Sequence, residues 1–350
     1  MLDALSGKFP VSVVTGFLGS GKTTLINRLL KRPDMNRVAV IVNELGEQAI
    51  DNDLIETSSE QMMLLNNGCL CCVLRGDLQE TLRDLFVKRR NGVVIDFNRV
   101  IIETTGLADP APVMQTLMTD DMLQAHYRLD CVVTLVDAVN GLGQLETMQE
   151  PVKQAALADR IVITKSDLAS NEKINKLESR LRELNPQAPV KRALNGEIEL
   201  AFLIDVGLRD TRAKLADIER WLGVGTHEGA DGHVHRHDQS IRSFSLRFDQ
   251  PFTWETFSQC VEVLTSMRGP DLLRVKGLVN LEGRPGPVVV QGVQHLFHPP
   301  VELAGWPSAD RATRIVFITR GIERRTVEQL FGAVIALSGQ RDAQKASRSG

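Results

Sequence analysis

Short apolar runs rich in β-branched residues alternate with longer amphipathic segments from residue 11 to about residue 220. The runs have the composition of strands buried on both faces of a sheet, and they cover residues 11–15, 38–42, 99–103, 131–136 and 160–164. The segments between them have the apolar spacing of helices, at residues 23–31, 77–89, 110–119 and 171–185. This order predicts an α/β fold: a doubly wound, mostly parallel sheet with helices on both sides.

The hydrophobic pattern stops after residue 222 and resumes near residue 241. The intervening segment, which contains THEGADGHVHRHDQ, has no apolar period, so we expect a linker over 223–240. Beyond it, strand patterns at 241–250, 272–281, 287–291 and 314–319 are combined with helix patterns at 253–265 and 323–337. We therefore expect a first domain over 1–222, a smaller α+β domain with a largely antiparallel sheet over 241–337, and a disordered tail over 338–350.

The composition is that of a soluble globular protein. The chain has 350 residues, of which 43% are hydrophobic and 24% charged, and its formal net charge is -3. This charge and the 5% of aromatic residues argue against nucleic acid as a partner. No apolar run approaches the roughly 20 residues that span a bilayer, so no membrane partner is expected. The five cysteines form an odd and unevenly spaced set, which argues against a disulfide framework and favours a reducing cytoplasm.

The segment GFLGSGKTT, residues 16–24, has the spacing of a phosphate-binding loop between a strand and a helix. Its glycines let backbone N–H groups turn towards phosphate oxygens, and the helix N-terminus adds partial positive charge. We expect Lys22 to reach the β- and γ-phosphates and to take part in catalysis, and the Thr23 hydroxyl to ligate Mg²⁺. The predicted nucleotide-binding residues of this loop are Gly16, Gly19, Ser20, Gly21, Lys22, Thr23 and Thr24.

The segment TKSD follows the run at 160–164 and indicates guanine. An aspartate at position 167 can accept hydrogen bonds from guanine N1–H and the N2 amine, which adenine does not offer. The Lys165 stem can lie across the base, and Thr164 opens the motif. The predicted nucleotide is therefore GTP or GDP, held by Thr164, Lys165 and Asp167. Residues 192–197, RALNGE, are a weaker candidate for a second contact to the base.

Two acidic residues follow predicted strands at the edge where the phosphate loop lies. Glu103 in ETTGLADP is expected to hold Mg²⁺, directly or through water, and to act in catalysis. Gly106 can offer a backbone N–H near the γ-phosphate and act as a switch hinge. Glu44 in VNELGE is a second catalytic candidate for positioning Mg²⁺ or water, and a helix cap or surface acid is an equally good interpretation of it.

Cys69, Cys71 and Cys72 in NNGCLCC are the most unusual cluster in the chain. Thiolates are soft ligands that favour Zn²⁺, Cu⁺ or Co²⁺. In an extended chain the third sulfur would point away from the other two, so we expect Gly68 to allow a turn. Three sulfurs leave one tetrahedral position open, which suits metal transfer better than a closed structural zinc site. Redox sensing and a metal-free packed turn are the remaining alternatives.

His233, His235 and His237 alternate in GHVHRHD and would lie on one side of an extended segment. They are candidates for metal capture or storage. A polar linker that carries histidines without a function is an equally good interpretation.

Taken together, GFLGSGKTT, VNELGE, NNGCLCC, ETTGLADP, DRIVITKSD and TRIVFITRG resemble the CobW/YjiA-like metal-insertion GTPases of the SIMIBI class, over roughly residues 9 to 335. The resemblance implies a GTPase domain and a CobW-type C-terminal domain. It further implies slow GTP hydrolysis coupled to handling zinc or cobalt for a client metalloprotein, often as a homodimer or higher oligomer that depends on nucleotide or metal.

The sequence departs from the family at two positions. Val42 stands where some relatives carry an acid that can ligate the metal, although Glu47 lies nearby in sequence. Thr164 opens the guanine motif in place of asparagine. Two alternative functions stay open: a non-catalytic, GTP-dependent metal sensor or sequestering protein, and an ATP-dependent kinase or ATPase built on the same loop.

Overall fold

The computed structural model describes residues 7–43, 62–64, 70–74, 77–194, 197–208, 212, 215–222 and 241–348. The chain divides into two compact units. One contains Gly7–Glu183 and Ala188–Leu208, and the other contains Leu184–Gln187 and Arg209–Gly350. Within the described ranges, no helix is both long enough and apolar enough to cross a membrane.

The described part of the first unit is built on an eight-stranded sheet. Its strands are β1 (Phe9–Gly16), β2 (Val38–Asn43), β3 (Met62–Leu64), β4 (Leu70–Leu74), β5 (Arg99–Thr104), β6 (Tyr127–Asp137), β7 (Arg160–Thr164) and β8 (Val190–Arg192). Their spatial order is β3-β4-β2-β5-β1-β6-β7-β8, and only β3 pairs antiparallel to its neighbour. The predicted mostly parallel, doubly wound sheet is confirmed.

Helices connect these strands. They are α1 (Lys22–Leu30), α2 (Leu78–Arg90), α3 (Ala111–Thr119), α4 (Asp121–His126), α5 (Gly141–Thr147), α6 (Gln149–Leu157), α7 (Asn171–Leu184) and α8 (Leu200–Leu203). Asp77 caps α2 by accepting from the Gln79 N–H at 3.0 Å. The sequence did not predict α5 and α6, which are short and carry a glycine or a proline in their first turns.

A buried ion pair links β5 and β6 at the end of the sheet opposite the phosphate loop. Arg99 at the start of β5 lies 2.7 Å from Asp130 near the start of β6, and both side chains are almost fully buried. The other Asp130 oxygen accepts from the Gly207 N–H at 3.0 Å. Because this carboxylate is hydrogen-bonded as well as paired, its burial is compensated.

The second unit contains a six-stranded sheet with helices. Its elements are α9 (Leu215–Leu222), β9 (Ile241–Phe248), α10 (Trp254–Arg268), β10 (Leu272–Val279), β11 (Val288–Val293), β12 (Leu296–Phe297), β13 (Val301–Glu302), β14 (Thr313–Arg320) and α11 (Arg324–Arg348). Every strand pair that the structure describes in this sheet is antiparallel. Buried residues of α10 and α11, among them Phe257 and Phe331, pack in one core with the sheet. The predicted α+β domain is confirmed.

The structure differs from the predicted boundaries in two places. Helix α9, expected in the first domain, belongs to the second unit, where Lys276 donates to the Trp221 carbonyl at 2.8 Å and its ammonium lies 5.2 Å from the Trp221 ring centre. The expected disordered tail is helical up to Arg348. Residues 338–348 contain no proline and are rich in alanine, glutamine, lysine and arginine, which favour a helix.

Candidate functional site

The phosphate loop joins β1 to α1 through three glycines with positive φ angles. Gly16, Gly19 and Gly21 have φ values of 144°, 73° and 89°. A Cβ on Gly16 would also lie 2.3 Å from the carbonyl oxygen of Leu135 on the adjacent strand β6. Only glycine fits there, so the loop turns directly at the end of the strand and presents its backbone and the start of α1 to a ligand.

Lys22 is the first residue of α1, and its side chain is directed back into the loop. Only 8% of the residue is exposed, and its Nζ donates to the carbonyl oxygens of Gly16 at 2.8 Å and Phe17 at 3.2 Å. Burial lowers the pKa of Lys22, and the negative charge of Glu103 opposes this effect. The buried Ser20 hydroxyl has no hydrogen-bond partner among the described residues. A buried cation and a spare hydroxyl fit the phosphates of a nucleotide.

Thr23 and Glu103 come together as the sequence predicted. Glu103 is 5% exposed on β5, and its Oε1 accepts from the Thr23 hydroxyl at 2.6 Å. Beside it, the Thr104 hydroxyl donates to the Thr15 hydroxyl at 2.8 Å, which ties the end of β5 to β1. A hydroxyl and a carboxylate oxygen in contact are hard ligands of the kind that Mg²⁺ prefers. The donor set therefore fits Mg²⁺.

The loop after β5, residues 105–109, lies directly against the phosphate loop. A Cβ on Gly106 would lie 2.7 Å from the backbone nitrogen of Leu18 and 2.8 Å from its Cα, so no other residue fits without movement. Leu18 and Leu107 are each 56% exposed. The predicted switch glycine is thus in van der Waals contact with the loop that would hold the phosphates.

The TKSD segment contacts the phosphate loop and the candidate second base contact. The Thr164 hydroxyl donates to the Ser20 carbonyl at 2.8 Å, which explains how threonine serves at this position. The Ser166 hydroxyl donates to the Ala193 carbonyl at 2.9 Å and so holds the segment that follows β8. Asp167 is exposed and its carboxylate is open to solvent. These contacts bring the predicted base-recognition residues to the edge of the phosphate loop.

Asp137 is a residue of this site that the sequence analysis missed. It ends β6, its side chain is 3% exposed, and its Oδ2 accepts from Lys165 Nζ at 2.7 Å. Burial raises the pKa of Asp137, but the bonds from Lys165 and from the Val139 and Asn140 N–H groups outweigh it and the net pKa is lowered. Lys165 itself has a left-handed backbone, with φ of 54°. Asp137 therefore fixes the lysine whose stem is expected to lie across the base.

Part of the predicted metal motif lies on a strand of the same sheet. Cys71 and Cys72 are the second and third residues of β4, whereas Cys69 lies outside the described residues. The predicted turn at Gly68 also lies outside them. The same holds for Glu44 and Glu47 and for the three candidate histidines His233, His235 and His237.

The sheet register relates the cysteine strand to the carboxylate strand. Val42 of β2 pairs with Val73 on one side and with Glu103 on the other. Cys72 is the residue before Val73, so its backbone is separated from the Glu103 strand by β2 alone. At about 4.8 Å between neighbouring strands, β4 and β5 are about 10 Å apart.

The two other cysteines are unsuited to bind metal. Cys131 and Cys260 are free thiols with no exposed surface. Burial raises the pKa of Cys260 to about 12 and that of Cys131 well above its usual value, so both stay protonated near neutral pH. Among the described side chains, no group of three histidine, cysteine or acidic residues is placed to hold a metal ion.

Comparison with known proteins accounts for both units. Residues 10–192 match the family described as CobW/HypB/UreG, nucleotide-binding domain. Residues 241–335 match the family described as cobalamin synthesis protein cobW C-terminal domain. The two matches fall in the parallel and antiparallel sheet units respectively.

Individual relatives match over most of their length. The zinc chaperone YjiA of Escherichia coli is 36% identical over 288 residues, which cover 82% of this chain and 86% of that protein. The zinc-regulated GTPase metalloprotein activator 1 of Saccharomyces cerevisiae is 29% identical over 362 residues, covering 92% of this chain and 82% of that protein.

A solved structure shares the fold of both units. The crystal structure of the Zn(II)-bound YjiA GTPase from E. coli is 32% identical, covers 93% of this chain and 99% of its own, and aligns with a TM-score of 0.70. Together with the phosphate loop, the paired Thr23 and Glu103 and the TKSD segment, these matches show that the chain belongs to the CobW/HypB/UreG family and carries the CobW C-terminal domain.

Proposed function

We propose that this protein is a GTPase that works as a metallochaperone: it hydrolyses GTP to GDP and phosphate and couples nucleotide state to the transfer of a transition metal. The metal is zinc, with cobalt as the alternative, and the recipient is a client metalloprotein. The relatives named zinc chaperone and zinc-regulated GTPase support this proposal. The observation that carries it is the sheet register, which puts the CxCC strand next to the strand that pairs with Glu103.

Guanine nucleotide binds at the phosphate loop and the TKSD segment. Lys22, the loop backbone and the N-terminus of α1 hold the phosphates. Asp167 accepts from the guanine edge, and Lys165, held by Asp137, lies across the base. An ATP-dependent kinase or ATPase is disfavoured because adenine offers no donor at N1 or N2 to this aspartate.

At this site GTP hydrolysis is accelerated mainly by electrostatic stabilisation of the transition state. Thr23 and Glu103 would hold Mg²⁺, which supplies positive charge that neutralises the phosphates. The Lys22 ammonium stabilises the charge that develops on the phosphate oxygens. Gly106 offers a backbone N–H at the γ-phosphate, and Glu44 is the second acid we assign to Mg²⁺ or to the attacking water. We expect slow intrinsic turnover, because no arginine is placed in the loop after β5 or in the phosphate loop.

Zinc is the cargo of the CxCC motif. Consecutive residues of a regular strand face opposite sides of the sheet. Thiolates of Cys69, Cys71 and Cys72 can therefore share one ion only if the backbone at the start of β4 leaves the extended conformation. Such a change is transmitted to β2 through the pairing of Ile41 with Cys72, and β2 leads into the segment that contains Glu44. We expect metal loading and nucleotide state to influence each other by this route.

We further propose a location, an additional metal store and an oligomeric state for the protein. A reducing cytoplasm would keep the three thiols available for metal. The histidines of the 223–240 linker would serve as a low-affinity metal store. We also expect the protein to form a homodimer or higher oligomer with nucleotide or metal, because Leu18 and Leu107 expose apolar surface beside the nucleotide site.

The test compares wild type with a Cys69/Cys71/Cys72 triple serine variant, both purified without oxygen. We expect wild type to hydrolyse GTP in preference to ATP and to show sulfur-to-cobalt charge-transfer absorption when loaded with Co²⁺. The triple variant should lose that absorption and keep basal GTP turnover. Co²⁺ bound by the linker histidines does not interfere, because imidazole ligands give no sulfur-to-cobalt band.

Two outcomes would contradict the proposal. A wild-type protein without GTP turnover at any metal load would instead indicate a non-catalytic, GTP-dependent metal sensor or sequestering protein. Charge-transfer absorption that survives in the triple variant would remove the CxCC motif from metal binding. The buried Cys131 and Cys260 remain in both proteins and serve as an internal control.

A further inference from the structure

Gln154 on helix α6 has contacts that neither the fold nor the nucleotide contacts described above require. The residue has no exposed surface. Its Nε2 donates to the carbonyl oxygens of Gly106 at 3.2 Å and Ala108 at 3.0 Å. Both acceptors belong to the loop after β5, residues 105–109, which we call the switch loop. Its Gly106 lies against Leu18 of the phosphate loop. One buried amide thus holds two backbone carbonyl groups of this loop.

The other end of the same side chain carries an unpaired acceptor. Gln154 Oε1 is buried and finds no hydrogen-bond donor among the described residues. A buried carbonyl without a donor is costly, and a leucine of similar volume would avoid that cost. The side chain is therefore explained by what its amide N–H₂ group does, which is to bind the switch loop.

The helix that carries Gln154 is itself fixed to the sheet. The Thr134 hydroxyl on β6 donates to the Gln154 carbonyl oxygen at 2.7 Å. Lys153, the preceding residue, lies 3.8 Å from Asp109 of the switch loop and adds a longer contact of opposite charges. Because α6 is anchored independently of the loop, the Gln154 amide is a fixed point against which the loop is positioned.

We propose that Gln154 is a positioning residue for GTP hydrolysis: it sets the Gly106 backbone at the place where the γ-phosphate and the attacking water are to be oriented. This inference rests on the proposed GTPase function. Among the described residues, Gln154 forms no hydrogen bond with Lys22 or with the TKSD segment, so it should matter for the step that uses the switch loop and little for holding GDP. In chemical terms it contributes orientation, not charge or a proton.

The variants are Gln154→Leu, which removes the donor and keeps the volume, and Gln154→Glu, which keeps the shape and places a carboxylate against two carbonyl oxygens. Thr319→Val is the matched control, because it removes a buried hydroxyl-to-carbonyl hydrogen bond of the second unit, at 2.9 Å, and leaves α6 and both loop contacts in place. For each protein we would measure kcat and KM for GTP, the Kd for GDP, the Tm, and hydrogen exchange of the amides of residues 105–109.

We expect kcat to fall about tenfold in Gln154→Leu and at least as far in Gln154→Glu, with KM and the GDP Kd within about twofold of wild type. Amides 105–109 should exchange faster in both Gln154 variants and at the wild-type rate in Thr319→Val. Turnover within about twofold of wild type in Gln154→Leu, or equal losses of kcat and GDP affinity, would overturn the assignment.

Failure of the proposed function is a separate outcome. If wild type hydrolyses no GTP, the GTPase proposal fails, and the role of Gln154 is decided by binding and exchange. The assignment then requires Gln154→Leu to lose the difference in affinity between GTPγS and GDP and to expose amides 105–109. Unchanged discrimination and unchanged exchange would contradict it.

Discussion

Replacing Asp137 by asparagine tests how the base site is held together. The substitution keeps the shape of the side chain and removes the charge that faces Lys165 Nζ at 2.7 Å. The asparagine oxygen can still accept from the Val139 and Asn140 N–H groups, so the end of β6 should stay folded. What is lost is the fixed position of the Lys165 ammonium.

The size of the expected loss of nucleotide affinity follows from the burial of the Asp137 and Lys165 side chains. The Asp137 side chain is 3% exposed, but that of Lys165 is 37% exposed, so solvent screens the pair. A fully buried bond to a charged group would contribute about 1.5–3 kcal/mol, and we reduce this to about 1 kcal/mol for the exposed lysine. The corresponding loss of affinity is about fivefold, and it should be the same for GDP and GTP.

The base itself provides the discriminating assay. Equilibrium titration with a fluorescent GDP gives the Kd of wild type, Asp137→Asn and Asp167→Asn. Asparagine at position 167 can donate to the 2-carbonyl of xanthine and so should shift preference from guanine to xanthine nucleotides. Our proposal has the Lys165 stem lie across the face of the base and not at its edge. Adding Asp137→Asn to Asp167→Asn should therefore weaken the binding of xanthosine diphosphate by the same factor of about five.

Two results would refute this reasoning. One is a GDP Kd for Asp137→Asn that is unchanged from wild type. The other is a loss restricted to guanine nucleotides, which would mean that Asp137 acts on the edge of the base. Glu172→Gln is the matched control: it breaks an exposed pair with Lys176 at a similar distance of 2.8 Å, and we expect no change in nucleotide affinity.

Two further substitutions test the site and the sheet. Thr164→Val removes the hydroxyl that donates to the Ser20 carbonyl and should raise the GDP Kd several-fold in the fluorescence titration. Thr164→Ser keeps the hydroxyl and should bind GDP like wild type. Equal GDP affinities for all three proteins would show that this hydrogen bond is dispensable. Asp130→Asn leaves the Arg99 guanidinium short of its buried partner and should lower the free energy of unfolding by about 3 kcal/mol in urea titrations, with unchanged GDP affinity in the folded protein. A loss below about 1 kcal/mol would contradict the role we give this pair.

The phosphate loop and the fold class were predictable because their residues act through local rules. The GxxxxGK[ST] spacing specifies a strand, a turn and a helix, and Gly16 shows why: positive φ and a carbonyl at 2.3 Å admit no side chain. Strands buried on both faces are recognisable as continuous apolar runs. The contact of Thr23 with Glu103 follows from the rule that ligand-binding residues collect at the carboxyl ends of parallel strands.

Asp137 and Gln154 were not predictable, because their roles depend on pairs that are distant in sequence. Asp137 has the local appearance of a cap at a strand end, and its partner Lys165 lies 28 residues away. Gln154 lies on a nine-residue helix with a proline in its first turn, and its acceptors precede it by 46 and 48 residues. The sequence also did not predict strand β4, Leu70–Leu74, on which Cys71 and Cys72 lie.

The boundary between the two domains was placed too late in the chain for a similar reason. The hydrophobic pattern continues to residue 222, so the sequence alone assigned helix α9 to the first domain. Its packing partner, Lys276 on β10, lies 55 residues after Trp221. No local signal reports such a contact.

The central claim is that metal loading and nucleotide state are linked through the sheet, and the most direct test is the affinity for GTPγS with and without one equivalent of Zn²⁺. We predict that zinc changes the GTPγS Kd, that GTPγS changes the Zn²⁺ Kd by the same factor, and that the Cys69/Cys71/Cys72 triple serine variant shows neither effect. Identical GTPγS affinities in zinc-free and zinc-loaded wild-type protein would contradict the account.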